Sequence, residues 1–198
     1  MQEEGRRSNQ DRTLRTRAAL IAAARRLFVE KGYAETGTPE LVAEAGVTRG
    51  ALYHHFADKQ ALFRAVVEAE NAALASEIER AAPGELGPIE ALAAGGEAFL
   101  AAMSLPGRTR LLLIEAPAVL GREVVDAIDA DHGGRTLREG LAAAIAADAL
   151  RVVPIDAGAL LLSAVYERAA LSIAAGGLAG EWRLLIRAVL DGLRQRNG

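Results

Sequence analysis

The chain of 198 residues has no cysteine, which excludes a disulfide framework, a thiolate metal site and a cysteine nucleophile. Aromatic residues make up only 4%, and lysine is nearly absent, since arginine supplies 21 of the 23 basic side chains. No run of 18 uncharged apolar residues occurs, so no membrane span is expected. The segment 1–17 is charged and has no apolar centre, so a secretory leader is not expected either. The signatures GxxxxGKS/T, HExxH, GxSxG and GxGxxG are all missing, which leaves an enzyme reading without supporting residues. No cofactor or metal ion is expected, and a cytoplasmic location is.

What is present is alanine in runs, within a hydrophobic fraction of 51%. Alanine favours helix, and the β-branched and aromatic residues that favour strands are few, so an all-α fold is expected. A stretch without apolar pattern, 1–10, reads as a disordered arm. Leu20, Ile21, Ala24, Leu27 and Phe28 then mark one stripe of a helix that ends at Lys31-Gly32. Thr38 and Pro39 suit the start of a short helix to Ala45, with Thr38 as cap. Thr48 suits the cap of a second short helix to His55, and Asp58 the cap of a longer one over about 58–80. Further helical patterns fall at about 89–103, 107–115, 119–132, 135–150, 155–175 and 178–195, divided by Pro and Gly.

The formal net charge of −3 argues against a nucleic-acid binder only as an average. Residues 1–64 hold 11 basic and 8 acidic side chains, a net of +3, and the remainder holds 12 and 18, a net of −6. The basic part is the part with the short helices. There, two short helices joined by a turn at Gly46 form a helix-turn-helix pattern. Leu41, Val42, Ala45, Val47 and Leu52 supply its apolar contacts. At 100° per residue Arg49, Gly50, Tyr53 and His54 share one arc, while Ala51, Leu52 and His55 fall on the opposite one. Arginine can bridge guanine O6 and N7, and tyrosine and histidine can reach phosphates or base edges.

The run from Leu27 to Tyr33, then Thr36, the run from Ala45 to Phe56, and finally Lys59 and Leu62 resemble the TetR family of transcriptional repressors. The resemblance is specific over residues 15–65 and architectural beyond, apart from a family-like stretch at Arg110–Gly121. It implies a three-helix DNA-binding domain over 11–65, a connecting fourth helix, and an effector-binding and dimerisation domain over 66–198. Carried across, it makes Thr48 the recognition-helix cap and Arg49, Gly50 and His54 base-facing. Thr36 is counted with the DNA-binding positions, and Thr38, Tyr53, His55 and Lys59 become phosphate contacts. Two departures stand out: Gly37 replaces the usual Ser or Thr, and Pro39 a position that is often charged.

In the larger domain the helix at 155–175 is apolar nearly all round, with only Asp156, Glu167 and Arg168 charged, and such a helix needs cover on every side. With Trp182, Leu185, Ile186, Val189 and Leu193 on the last helix, and Ala157, Leu161 and Ala164 on this one, a homodimer through a four-helix interface is expected. The family resemblance also implies it. It further implies a cavity for a small-molecule effector, with Phe99, Met103, Leu112, Glu115, Tyr166 and Arg168 as lining candidates. Asp126, Asp129 and Asp131 are expected to form a solvated helix face and not a metal site. Two function classes stay open. One is a ligand-released repressor that binds a pseudo-palindromic double-stranded DNA operator as a dimer, away from any membrane. The other is a small-molecule-binding or scaffolding helical protein that has lost specific DNA binding.

Overall fold

The computed structural model describes residues 2–195, with side chains from Asp11 onward. The chain divides into two compact units: residues 1–69 with 110–121, and residues 70–109 with 122–198. Among the described residues all regular structure is helical except one isolated antiparallel bridge between Leu150 and Arg194.

The first unit holds α1 (Gln2–Lys31), α2 (Thr38–Ala45), α3 (Arg49–His55) and the start of α4 (Lys59–Ala81). The stretch 2–10, expected as a disordered arm, is helical as part of α1, and Met1 lies outside the described residues. Leu20, Ala24, Leu27 and Phe28 of α1 are buried with Leu41, Leu52, Phe56, Leu62, Phe63 and Val66. Phe28 meets Phe63 edge-on with ring centroids 5.1 Å apart, and Tyr33 closes on Phe63 at 4.8 Å. Such aromatic pairs add about 0.5–1.5 kcal/mol each to their burial. A π-helical segment, Arg110–Glu115, and a short α5 (Ala116–Leu120) belong to this same unit. The break expected between the patterns at 107–115 and 119–132 falls later than Pro117: proline sits in the first turn of α5, and Gly121 at φ +87° ends that helix.

The second unit holds the remainder of α4, then α6 (Pro88–Met103), α7 (Arg122–Asp131), α8 (Gly133–Ala146), α9 (Ile155–Ala174) and α10 (Ala179–Leu193). Its core includes Leu92, Leu100, Leu141, Ala159, Leu162, Tyr166, Ile186 and Leu190. Arg108 is also buried, and its guanidinium is fully engaged: Nε donates to Glu70 at 3.0 Å and both Nη atoms donate to Glu77 at 3.0 Å. Paired in this bidentate manner, a buried cation is tolerated; losing one partner would strand it. Arg151 N–H donates to Leu193 O at 2.9 Å and Gln195 N–H to Ala149 O at 3.1 Å, tying the α8–α9 loop to the end of α10.

By length and composition α9 alone among the described helices could cross a membrane, with a mean hydropathy of 1.3. Its buried residues, Ala159, Leu162, Tyr166, Ala169 and Ala170, instead face the unit's own core. Ala157, Leu161 and Ala164 on α9 and Leu185 on α10 are exposed, and Trp182, Val189 and Leu193 are half-buried. Ile186, expected at an interface between copies, is a correction: it is 6% exposed and packs inward beside Leu190. The outward positions missed by the sequence reading are Leu160, 70% exposed, and Leu184, 73% exposed. One helical stripe cannot tell an inward apolar arc from an adjoining outward one.

The fit of α6 against α9 depends on Gly96, because a Cβ there would overlap the hydroxyl of Tyr166 and lie 2.6 Å from its ring edge. Gly96→Ala should therefore lower stability by about 1–3 kcal/mol, the usual cost of overpacking. Chemical denaturation measures it, and an unchanged midpoint would show that Tyr166 relocates freely.

Candidate nucleic-acid interface

The helix-turn-helix is assembled as its residues require. Gly46 adopts φ +65° and ends α2 in the left-handed conformation, with its N–H on Ala43 O and Val47 N–H on Val42 O. Thr48 Oγ1 accepts from Ala51 N–H at 3.1 Å and caps α3. Leu52 is buried beneath, which sets the rotation of this two-turn helix. The opposite arc then faces solvent, with Arg49, Gly50, Tyr53 and His54 all exposed. The Arg49 guanidinium lies 5.5 Å from the centroid of the Tyr53 ring. Hydrogen bonding from Arg49, and then from Thr38, holds the Tyr53 phenol below its ordinary pKa. Half-buried His55 touches the His54 ring edge-on at 5.2 Å, and burial, then the charges of His54 and Arg17, pushes its pKa down.

The start of α2 differs from expectation. Gly37, not Thr38, is the N-cap; Thr38 and Pro39 occupy the first turn. Gly37 has no side chain to offer the helix, but Glu40 reaches back to accept from Gly37 N–H at 3.4 Å. The same carboxylate accepts from Lys31 Nζ at 2.6 Å, and Lys31, then Gly37, draws its pKa down. Arg26 and Glu44, 2.6 Å apart, form a second tie between α1 and α2.

Two expected DNA contacts are otherwise engaged. Thr36 is only 1% exposed and its hydroxyl donates to Gly32 O at 2.7 Å, so it cannot touch DNA. The family-like threonine is a turn-former here. Lys59 is half-buried; its ammonium donates to Tyr33 O at 2.9 Å and Thr36 O at 3.1 Å and lies 4.1 Å from the Tyr33 ring centroid. It staples the turn between α1 and α2, with a cation–π contact beneath.

That turn has further support. Gly32 takes φ +89°, and Glu115 Oε1 stands 2.8 Å from where a Cβ would lie. Glu115 Oε2 accepts from Tyr33 N–H at 3.1 Å, and Arg110 Nη2 donates to Phe28 O at 3.0 Å and Val29 O at 2.6 Å. Arg110 thereby satisfies Val29 O near the end of α1 and adds a second donor to Phe28 O, which Gly32 N–H already engages. Glu115 was expected to line a ligand cavity, and this is corrected: it serves the first unit's turn. The signal for both residues was their position in the family-like stretch Arg110–Gly121.

The second unit contains a cavity of about 280 Å³ whose lining includes Phe99 and Tyr166, with Leu92, Thr136, Asp129 and Ser163. The other lining candidates fail. Met103 is sealed in the core, Leu112 is buried in the first unit, and Arg168 is exposed away from the cavity. Asp129 also departs from the solvated face expected of it. Burial, then Glu167 and Asp126, pushes its pKa up to about 6. No group of three or more His, Cys, Asp or Glu residues suited to a metal occurs among the described residues.

These two units define a helix-turn-helix head and a helical body with a partly open cavity. A profile of bacterial regulatory proteins of the tetR family matches residues 20–66, and one of tetracyclin repressor-like C-terminal domains matches residues 89–193. The chain belongs to the TetR family, whose members are DNA-binding transcription factors and not enzymes. A solved TetR-family regulator from Pectobacterium atrosepticum is 31% identical, with a TM-score of 0.75 over 94% of this chain and 97% of that one. The A-factor receptor protein of Streptomyces griseus is 31% identical over 96 residues, 48% of this chain and 33% of its own length. The transcriptional repressor BepR of Brucella suis is 42% identical over 52 residues, 26% of this chain and 25% of its own. The chain thus aligns with a third or less of these two curated relatives.

Lys59→Met keeps the aliphatic stem and removes the ammonium. It should cost about 1.5–3 kcal/mol, the range for hydrogen bonds made by a charged group. Amide exchange at residues 33–37 should speed up with it, and unchanged exchange there would refute the staple.

Proposed function

We propose that the protein is a ligand-responsive transcriptional repressor that binds a pseudo-palindromic operator as a dimer. The observation that carries this reading is the exposed arc of α3, on a helix capped by Thr48 and seated by Leu52. Arg49, Gly50 and His54 are its base-facing positions. Thr38, Tyr53 and His55 contact phosphates, a reading supported by the exposure of Tyr53 and by the Arg49 guanidinium beside its ring. Gly50 matters for what it lacks, since a bare backbone allows close approach to the groove wall. Repression is the sign carried by the name of the BepR relative. A DNA-binding regulator with this composition works in the cytoplasm.

Two-fold symmetry fits exposed Leu160, Leu161, Leu184 and Leu185, which solvent would leave uncovered on α9 and α10 of a monomer. In a dimer the two α3 helices enter successive major grooves about 34–36 Å apart. An effector in the cavity of the second unit releases DNA only if it binds one dimer conformer better than the other.

Arg49→Ala should cost about 1–3 kcal/mol on the operator and relax base preference at one position of each half-site, with non-specific binding little changed. Fluorescence anisotropy on operator and scrambled duplexes at matched salt reads this. Equal affinity of the unmutated chain for both duplexes would overturn the regulator reading. Leu161→Glu with Leu185→Glu should sediment as a folded monomer; a persisting dimer would move the interface elsewhere.

A further inference from the structure

The lining of the cavity in the second unit has a one-sided chemistry. Three carboxylates border it, Glu79, Asp129 and Glu139, and no Lys, Arg or His does. Glu79 and Glu139 already share Arg135, at 2.6 and 3.0 Å. Asp129 does not share a cation in this way: its side chain makes no hydrogen bond or ion pair among the described residues. The two arginines that act on it make their contacts elsewhere. Arg138 donates to Ala130 O, and Arg122 pairs with Asp126 at 2.7 Å and Glu167 at 3.4 Å. Arg138 and Arg122 still act on Asp129 at longer range, against the larger effects of its burial, Glu167 and Asp126. A carboxylate mostly removed from water with no cation in contact is costly, and an incoming cation relieves that cost.

A second observation is independent of the acids. Tyr166 is 5% exposed and its hydroxyl, seated over Gly96 in the cavity wall, has no hydrogen-bond partner among the described residues. Its ring meets that of Phe99 with centroids 5.8 Å apart, so two aromatic groups flank the same space. Aromatic faces attract ammonium groups, and a hydroxyl that no protein group engages is free to accept from one.

We propose that this cavity binds a lipophilic organic cation, a compound with an apolar body and a single ammonium group, and that Asp129 is its counter-ion. The apolar body lies against Ile78, Leu92 and Leu137, and the ammonium lies between Asp129 and the Phe99–Tyr166 pair. The proposal rests on the reading of this unit as effector-binding and names the effector's class. It also predicts a pH response. Asp129, with its pKa pushed up to about 6, is mostly protonated at pH 5 and ionised at pH 7.5. Asp126 and Arg122 on α7, His132 and Arg138 around α8, Glu79 on α4 and Glu167 on α9 surround it, so a variant must assign the response.

The test is calorimetry on the full chain without DNA, using three probes: benzyltrimethylammonium, its neutral isostere neopentylbenzene, and phenylacetate. The cation should bind at least tenfold more tightly than either of the others at pH 7.5. Its affinity should fall about tenfold at pH 5, a change the permanently charged probe cannot itself cause. Asp129→Asn should remove both the preference for the cation and the pH response. If that variant does not fold, the preference of the unmutated chain for the cation over its neutral isostere decides. Equal affinity for cation and isostere, preference for phenylacetate, no binding of the cation, or a pH response that survives in Asp129→Asn overturns the proposal. Cation binding that leaves operator affinity unchanged would instead sink the ligand-responsive reading and leave the cation site standing.

Discussion

The geometry of the head depends on the turn between α1 and α2, residues 32–37. Its backbone is held by groups from three distant stretches of chain: Lys59 on Tyr33 O and Thr36 O, Glu115 on Tyr33 N–H, and Arg110 on the last carbonyls of α1. The Thr36 hydroxyl closes the turn from within. Each is a polar group satisfied away from bulk water, where an unmade hydrogen bond costs more than a made one contributes. Fixing this turn fixes where α2 starts, and through Gly46 and Leu52 it fixes which arc of α3 faces outward.

This division of labour explains why Thr36 is closed to DNA and why two of the Lys59 ammonium's donors go to backbone carbonyls. A threonine and a lysine look alike in sequence whether they face a phosphate or a backbone carbonyl. Here the carbonyls were nearer. The side chains left exposed, Arg49, Tyr53 and His54, are those whose neighbours on α3 bury Leu52 instead. The body shows the same principle with the opposite charge. Arg108 is buried and paired with Glu70 and Glu77, whereas Asp129 is desolvated and makes no such pair. The first is structural, and the second marks a place for something else.

Much of the fold could be read in advance because its signals are local. Gly32 and Gly46 at positive φ, Thr48 and Asp58 as caps, and the Leu20–Phe28 stripe all act within a few residues. The recognition arc followed from one rotation rule. What was not legible needed partners far apart in the chain. The segment Arg110–Gly121 lies beyond α4 in sequence yet belongs to the first unit, which is why Leu112 and Glu115 were misplaced. Ile186 was put on the wrong side because α10 is apolar on two adjoining arcs. Asp129 looked like a surface residue because the residues of α8 and α9 that line the same hollow lie far along the chain from it or on another helix.

The central claim is that the outward arc of α3 reads a two-fold DNA sequence. It is tested most directly by selecting bound duplexes from a random pool with the unmutated protein. Enrichment of an inverted repeat, with half-site centres about one helical turn or a multiple of it apart, is the expected result. Recovery of no shared sequence after repeated rounds would contradict it.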